Sequence, residues 1–130
     1  RKPKESLEKL LRRTPNTWFS CDVKDMRPFY YQSTIFVVPL LDGSGTRLKI
    51  MEAMATGLPV VSTPKGCEGL GLKLGEGIFI ADDPEQFAQA AILLLKDRSL
   101  RENFRRKALA ISRERFAWDK VLKPLDKIYL

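Results

Sequence analysis

The fold is decided by residues 35–62, which read IFVVPLLDGSGTRLKIMEAMATGLPVVS. The stretch begins and ends with apolar β-forming runs, Ile35–Val38 and Pro59–Ser62, and such runs are typical of strands buried on both faces. Between them, a loop over Pro39–Gly45 leads directly into a predicted helix, Thr46–Thr56. Strand, helix and strand with short connections predict a parallel sheet that is wrapped by helices.

Further helices and strands are predicted on both sides of this stretch, and they alternate in the same way. Asp25 and the Asp82–Asp83 pair have side chains that cap helix starts, and Pro124 is expected to interrupt the last helix. The fold class is therefore α/β, with a Rossmann-like parallel sheet that binds its ligand outside the carboxyl ends of the strands. The additional predicted elements are helices at Lys4–Arg13, Asp25–Ser33, Pro84–Lys96, Ser99–Arg115 and from Trp118 onward, and strands at Thr17–Ser20 and Ile78–Ile80.

The composition predicts a single globular domain over residues 1–130. A length of 130 residues is that of one domain, and 44% hydrophobic with 30% charged residues excludes intrinsic disorder. No apolar run approaches the ~18 residues that a membrane span needs, so we expect no transmembrane helix, and we expect no secretory signal. Because the chain has no histidine, it offers no imidazole for a catalytic triad, a general base or a metal site.

The two cysteines and the two tryptophans are interpreted as packing residues. Two cysteines are too few for a zinc site or a disulfide framework, and Cys21 and Cys67 have no evident basic partner that would activate a thiol. Isolated cysteines suit a reducing cytosol, so we expect a cytoplasmic protein without a metal. Trp18 and Trp118 are expected in the core or between helices.

The net charge of +7 is concentrated toward the two ends of the chain, with +4 over residues 1–28, −2 over residues 29–98 and +5 over residues 99–130. Nucleic-acid binding would call for basic residues interleaved with exposed aromatic residues, or for a known module, and neither is evident. We therefore expect no nucleic-acid partner. A weak attraction to anionic lipid at the inner face of the membrane stays open, although no helix has a clean basic amphipathic pattern.

The loop before the predicted helix Thr46–Thr56 has the features of an anion site. Gly43 and Gly45 allow a phosphate to approach the backbone closely, and the free amides and dipole of a helix start attract negative charge. The loop fits neither a Walker A motif nor a dinucleotide fingerprint. On the glycines alone, a strand-to-helix turn that merely uses glycine is slightly favoured.

Glu52 shifts this balance toward a nucleotide. An apolar face and a polar stripe are predicted at helical spacing, with Leu48, Met51, Met54 and Ala55 in the face and Lys49, Glu52 and Thr56 in the stripe. Glu52 is either a solvated partner of Lys49 or a carboxylate held in a largely buried helix for a reason. A carboxylate accepts hydrogen bonds from both hydroxyls of a ribose. A phosphate at the helix start and a ribose two turns on together describe a nucleotide.

Residues 43–63 carry the string Gly-Ser-Gly-Thr-Arg-x-Lys-x-x-Glu-Ala-Met-Ala-x-Gly-x-Pro-Val-Val-x-Thr. This string resembles the carboxyl-terminal domain of group 1 retaining glycosyltransferases with the GT-B fold. The similarity covers most of the chain, and its central motif is specific. It extends to Val23 and Asp25, the Pro28–Tyr31 segment, Pro39, Gly66–Leu70, Phe116–Trp118 and Tyr129.

The resemblance implies a carbohydrate-biosynthesis enzyme that moves a sugar from a nucleotide-sugar donor to an acceptor with retention at the anomeric carbon. It implies a hexosyltransferase that needs no metal and no cofactor besides the donor substrate. It places the donor diphosphate on the backbone of Gly43–Arg47, which includes Ser44, Gly45 and Thr46. It places the ribose at Glu52 and the base near Val23 and Lys24.

The sequence departs from the family pattern at the sugar. Many relatives have a glutamate at the position of Ser44, directed at the donor sugar, and a serine hydroxyl cannot supply the same charge. Arg47 and Lys49 are available instead, and Arg47 is suited either to the charge that develops on the phosphate or to a solvent-facing first turn. For Glu68, solvation in its loop is favoured over an approach to the sugar.

The second departure concerns what precedes residue 1. The family's second domain begins with two more strands, expected between the Thr17–Ser20 and Ile35–Val38 strands, and it follows an acceptor-binding domain. We therefore interpret the chain as a fragment that is catalytically silent alone, with a sheet that is open to completion by another chain. The acceptor, a glycan, lipid or small molecule, would be held by the missing domain, and no catalytic residue is assigned.

Two functions from different classes fit these observations. The first is the donor half of a glycosyltransferase, and the alternative is a non-catalytic nucleotide-binding module of the same fold. A second doubly wound domain encoded upstream would favour the enzyme. A nucleotide-sugar epimerase is disfavoured because those enzymes show Gly-Gly-x-x-Glu-Glu at this loop, and a basic nucleic-acid module ranks last.

Overall fold

The structure is a computed structural model that describes residues 4–45 and 47–129, with side chains to Lys123. Its three described strands, β1 (Phe36–Val38), β2 (Val60–Ser62) and β3 (Ile78–Ile80), form one sheet in the order β1-β2-β3. Both pairs of strands are parallel, and Val37 lies beside Val61, which lies beside Phe79. The predicted parallel sheet is confirmed, and these three strands coincide with the predicted apolar runs to within one residue at each end.

Helices cover both faces of this sheet, because the strands point apolar side chains to both sides. On one face, Val60 and Ile78 pack with Ile50 and Met54. On the other face, Val61 packs with residues of two later helices. Val60, Val61 and Ile78 have no exposed surface, which is typical of a sheet buried between two helical layers. The α/β class is therefore confirmed for the described residues.

The helix after the loop, α3 (Leu48–Ala55), begins two residues later than predicted and turns a different side to the sheet. Its buried residues are Ile50, Ala53 and Met54, whereas Leu48 is 57% exposed. The predicted apolar face of Leu48, Met51, Met54 and Ala55 is therefore wrong except at Met54. Apolar residues occupy two adjacent sides of this helix, so periodicity alone does not decide which side meets the strands.

The remaining helices follow the predictions with two differences. Asp83 accepts hydrogen bonds from the amides of Glu85 and Gln86 and so caps α4 as predicted. The helix predicted over Ser99–Arg115 ends as an α-helix at Ile111 and continues as one π-helical segment, Ser112–Phe116. The last helix runs through Pro124 without the predicted interruption. The bounds are α1 Glu5–Arg13, α2 Arg27–Gln32, α4 Pro84–Lys96, α5 Arg98–Ile111 and α6 Trp118–Tyr129.

Three predictions around α2 and the chain ends are wrong. Residues Thr17–Ser20 form no strand, because a β-forming run needs a hydrogen-bonded neighbour and none of the described strands lies beside it. Trp18 and Trp118 are 71% and 78% exposed and so do not lie in the core, although the ring of Trp18 contacts Phe29 of α2. Asp25 lies before the helix cap at Met26 and binds the backbone amide and side chain of Arg27 instead. None of the described helices is long and apolar enough to cross a membrane.

Candidate functional site

The loop between β1 and α3 leaves the carboxyl end of the sheet, where the sequence predicts the ligand. Gly43, Ser44 and Gly45 are exposed there, and the two glycines have φ angles of 128° and 105° that favour glycine. Thr46 lies outside the described residues. The N-cap residue Arg47 makes no side-chain capping hydrogen bond, and its carbonyl accepts from the amide of Ile50 at 3.0 Å. The first two amides of the helix therefore have no partner within it. The amide of Gly43 donates to Oδ1 of Asp42 at 2.7 Å.

Arg47 precedes α3, and its guanidinium is nearly enclosed. Its side chain is only 10% exposed, and its Nη2 donates to the carbonyl of Gly43 at 3.2 Å. The same Nη2 lies 3.8 Å from Oε2 of Glu68. Within the described part of the chain, Nε of Arg47 is buried and has no hydrogen-bond partner. A buried donor without a partner costs free energy, so this arrangement is incomplete without a further acceptor.

A cavity of about 400 Å³ lies against Arg47 at the carboxyl end of β1. Its walls come from β1 and the residues just after it, from the start of α3, and from Gly66 after β2. Lys49 is exposed and adds a second positive charge to the wall. Of the two alternatives left open for Arg47, the solvent-facing one is therefore wrong, because its guanidinium is folded into the protein beside this cavity. The lining residues are Val38, Leu40, Arg47, Leu48, Lys49, Ile50 and Gly66.

Glu52 is exposed on α3 but has a fixed partner. Its Oε2 accepts a hydrogen bond of 2.8 Å from the hydroxyl of Tyr30, a residue of α2 that is only 3% exposed. Tyr30 in turn packs edge-on against Phe36 of β1. A core residue therefore orients the carboxylate, and neither predicted alternative for Glu52, an ion pair with Lys49 or a buried helix face, describes it fully.

The pKa of Tyr30 is raised well above its usual value of 10.0. The main cause is burial, which disfavours the phenolate, and the second is the hydrogen bond that the hydroxyl donates to Glu52. The folded state keeps this proton at a pH where the unfolded chain loses it. The stabilisation is therefore complete below about pH 10 and is lost as the pH rises above it.

We expect the free energy of unfolding to fall between pH 9 and pH 11 less steeply in Tyr30→Phe than in the wild type. Urea denaturation at several pH values measures this slope. Tyr31→Phe is the matched control, because Tyr31 is 73% exposed on the same helix and should leave the slope unchanged. Equal slopes in the wild type and Tyr30→Phe would contradict the account of this hydroxyl.

Two further cavities lie near the cavity at Arg47 and share lining residues with one another or with it. A cavity of about 500 Å³ contains Val23 and shares Lys49 with the cavity at Arg47. A cavity of about 640 Å³ contains both Lys24 and Glu52, and it shares Met26 with the second one. Lys24 and Glu52 thus line one cavity, Val23 and Lys49 line the next, and Arg47 lines the third. We call this row of three cavities the α3 cleft.

Glu68 lies across from Arg47, on the loop after β2. Its Oε2 is 2.7 Å from Nζ of Lys65, and its side chain is 59% exposed. The hydrogen bond and charge of Lys65 lower the pKa of Glu68. Glu68 is therefore ionised and solvated, as favoured from the sequence, and it also faces the guanidinium of Arg47.

The loop that carries Glu68 is held in place from the far end of the chain. Arg115, in the π-helical segment, donates from Nη2 to the carbonyls of Leu70 and Gly71 at 3.1 and 2.9 Å. Its Nη1 donates to Glu76 at 3.3 Å. Cys67 is buried in the same loop, and burial raises the pKa of its thiol, so it packs as predicted and is not activated.

A model of the family "Glycosyl transferases group 1" matches residues 1–97 of the chain. The chain belongs to this family. The matched residues include β1, the loop with its glycines, α3 with Glu52, and both later strands, so the family assignment rests on the same elements that build the α3 cleft. The resemblance seen in residues 43–63 is confirmed at the level of a group 1 glycosyltransferase.

Two relatives are similar to this glycosyltransferase domain, and the name of the second agrees with the assignment. An uncharacterized 44.6 kDa protein in the cps region of Klebsiella pneumoniae is 33% identical over 104 residues, which are 80% of this chain and 27% of that protein. An uncharacterized glycosyltransferase of Methanocaldococcus jannaschii is 27% identical over 99 residues, 75% of this chain and 25% of that protein. The chain thus spans about a quarter of the relatives it matches. No solved structure matches the chain.

Two residues of this site escaped the sequence analysis. Tyr30 was visible only as part of the Pro28–Tyr31 segment, and nothing in its spacing from Glu52 indicates a hydrogen bond between helices that are distant in sequence. Thr63 is the last residue of the motif string and directly follows a buried strand. This position at the carboxyl end of the strand could have indicated a role near the site. In the structure, Thr63 is 4% exposed and its hydroxyl lies between two loops.

Proposed function

We propose that this glycosyltransferase domain binds the nucleotide-sugar donor in the α3 cleft, with the diphosphate at Arg47 and the ribose at Glu52. The observation that carries the proposal is the buried, unpartnered Nε of Arg47 beside a cavity at the start of α3. The free N–H and the positive charge of this guanidinium favour a ligand that accepts hydrogen bonds and carries negative charge. A diphosphate is such a group, and the family uses it as the leaving group.

The start of α3 supports the diphosphate by charge as well as by hydrogen bonding. The positive end of the helix dipole and the free first amides attract an anion. Lys49 adds charge on the same wall. Donors fixed before reaction stabilise charge that develops on the leaving diphosphate, so Arg47 is proposed to lower the barrier to transfer. The amide of Gly43 becomes available to the donor only when it leaves Asp42.

The nucleoside is proposed to continue along the cleft toward α2. The carboxylate of Glu52 accepts from both ribose hydroxyls, and its orientation is set beforehand by Tyr30. Lys24 and Glu52 line the same cavity, and Val23 lines the neighbouring one. The base is therefore proposed to lie against Val23 and Lys24. Because Tyr30 leaves the second oxygen of Glu52 free among the contacts described, binding requires little rearrangement of the carboxylate.

The donor sugar is proposed to extend from the diphosphate toward Ser44 and Glu68. Ser44 is exposed on the loop before α3, where many family members have a glutamate. Glu68 lies 3.8 Å from Arg47, so it is the carboxylate that faces the phosphate end of the cleft from the neighbouring loop. Sugar hydroxyls donate readily to carboxylates, and Glu68 would supply the charge that Ser44 lacks.

Several features of the complete enzyme are proposals of the same kind. We propose a GT-B enzyme with this domain in its carboxyl-terminal half, retaining transfer of a hexosyl group, and no metal or further cofactor. The acceptor and the catalytic groups would come from outside these residues, so the chain alone is proposed to be inactive. A cytoplasmic location, with contact at the inner membrane face, would suit a biosynthetic enzyme.

Glu52→Ala tests the ribose assignment. We expect it to weaken nucleoside diphosphate binding at least about tenfold, because a hydrogen bond to a charged group is worth roughly 1.5–3 kcal/mol. It should leave inorganic pyrophosphate binding unchanged, since pyrophosphate has no ribose. Isothermal titration of the chain with UDP, GDP, ADP and pyrophosphate measures both.

Two controls sharpen this test. The 2′,3′-dideoxy form of the nucleotide that binds should lose affinity for the wild type and respond no further to Glu52→Ala. Lys107→Ala removes an exposed charge on α5 and should change no affinity. Nucleoside diphosphate affinity that is unaffected by Glu52→Ala would reduce Glu52 to a structural partner of Tyr30.

A further inference from the structure

Thr63 joins the two loops that form the cavity at Arg47. It follows β2 directly and is 4% exposed. Its hydroxyl donates to the carbonyl of Leu40, on the loop after β1, and accepts from the amide of Gly66, on the loop after β2, at 2.9 Å. One side chain therefore ties together two segments that no described strand pairing connects.

The bonds of Thr63 reach three of the residues that line the cavity, although Thr63 does not line it. Its backbone amide donates to the carbonyl of Val38 at 3.3 Å, in addition to the hydroxyl contacts with Leu40 and Gly66. Val38, Leu40 and Gly66 all face the cavity that Arg47 borders. The shape of two of its walls depends on this threonine.

The packing around Gly66 leaves these walls little freedom. A Cβ at Gly66 would lie 2.3 Å from Oγ of Ser62 and 3.0 Å from the carbonyl of Val38. Ser62 is itself fully buried and donates to the carbonyl of Thr63 at 2.9 Å. The loop after β2 therefore packs closely against the end of β1. The hydroxyl of Thr63 provides hydrogen-bond partners for the Leu40 carbonyl and the Gly66 amide at this contact.

We propose that Thr63 is a positioning residue for the donor site, holding the loops after β1 and β2 at the separation that the donor diphosphate requires. The inference rests on the proposed function, because it assigns a role to Thr63 through the cavity at Arg47. Thr63 contacts no part of the donor. It fixes Leu40 and Gly66, and with them the separation between Arg47, which is proposed to bind the diphosphate, and the loop of Glu68, which is proposed to face the donor sugar.

The binding test compares Thr63→Val, which keeps the shape and loses the hydroxyl, with Thr63→Ser, which keeps the hydroxyl. Titration with pyrophosphate and with UDP, GDP and ADP should show about a tenfold loss in Thr63→Val, equal to about 1.4 kcal/mol. Thr63→Ser should bind within about threefold of the wild type. Leu94→Ala is the stability control, because Leu94 is fully buried in the other core cluster and should lower the thermal midpoint without changing affinity.

A second measurement tests the contact without any ligand. The amide of Gly66 should exchange with solvent slowly in the wild type, because it is bonded to Thr63, and at least about tenfold faster in Thr63→Val. A Gly66 amide that is unprotected in the wild type, or wild-type affinity in Thr63→Val, would overturn the inference. If the wild type binds none of the four probes while Gly66 is protected, the proposed function fails and the contact stands.

Discussion

Replacing Arg47 with methionine is expected to weaken binding of pyrophosphate and nucleoside diphosphates by about 100-fold. A hydrogen bond to a charged group contributes roughly 1.5–3 kcal/mol, and the guanidinium offers an unused Nε together with its charge. The same substitution removes a buried nitrogen that has no described partner, so the free energy of unfolding should stay level or rise. Titration calorimetry and urea denaturation of one preparation measure both quantities.

Opposite effects on binding and stability distinguish a binding residue from a structural one. Arg106→Met is the matched control, because Arg106 is an exposed arginine on α5 and its loss should change neither quantity. If Arg47→Met instead lost stability and kept its affinity for pyrophosphate, the guanidinium would be a structural link to Gly43, and the anion site would not be at α3.

Gly77→Ala is expected to cost about 3–5 kcal/mol of folding free energy, from overpacking and from the left-handed backbone together. A Cβ at Gly77 would lie 2.7 Å from the backbone nitrogen of Ala108, and the φ angle of Gly77 is +82°. The carbonyl of Gly77 also accepts from the amide of Val60, so this residue cannot move away from α5 without disturbing the sheet. The midpoint of urea denaturation measures the loss, which is a large share of the ~5–15 kcal/mol of a typical domain.

Gly75→Ala separates the cost of overpacking from the cost of the left-handed backbone. Gly75 has nearly the same φ angle, +86°, but a Cβ there would meet nothing within 4 Å. Its substitution should therefore cost only the backbone term of about 1–2 kcal/mol. Equal losses at the two glycines would mean that the contact between the sheet and α5 at Ala108 does not limit stability.

The sheet could be predicted because its signals are local. Ile35–Val38, Pro59–Ser62 and Ile78–Ile80 are each an apolar β-forming run with turn residues on both sides, and burial on both faces is what such runs require. Thr17–Ser20 carries a similar local signal and forms no strand, because strand formation depends on a hydrogen-bonded neighbour. The side of α3 that faces the sheet was likewise decided by packing rather than by periodicity.

The strand, loop and helix that carry the candidate site could be predicted from the sequence, but their contacts could not. The glycines before α3 and the distance to Glu52 are fixed by loop and helix geometry, so they can be read from spacing. The hydrogen bond from Tyr30 and the enclosure of Arg47 depend on how α2 and the loop after β2 pack against α3. Thr63 joins segments that are far apart in sequence, and only the assembled sheet brings them together.

The central claim is that a sugar nucleotide lies along α3 with its diphosphate at the helix start. Amide chemical shifts of the isotopically labelled chain, recorded during titration with UDP, GDP and ADP, test it most directly. We predict that one nucleotide saturates and shifts the amides of residues 43–49 together with those around Lys24 and Glu52. Saturable shifts clustered instead around Arg101 and Arg105 on α5, or no saturation by any of the three nucleotides, would contradict it.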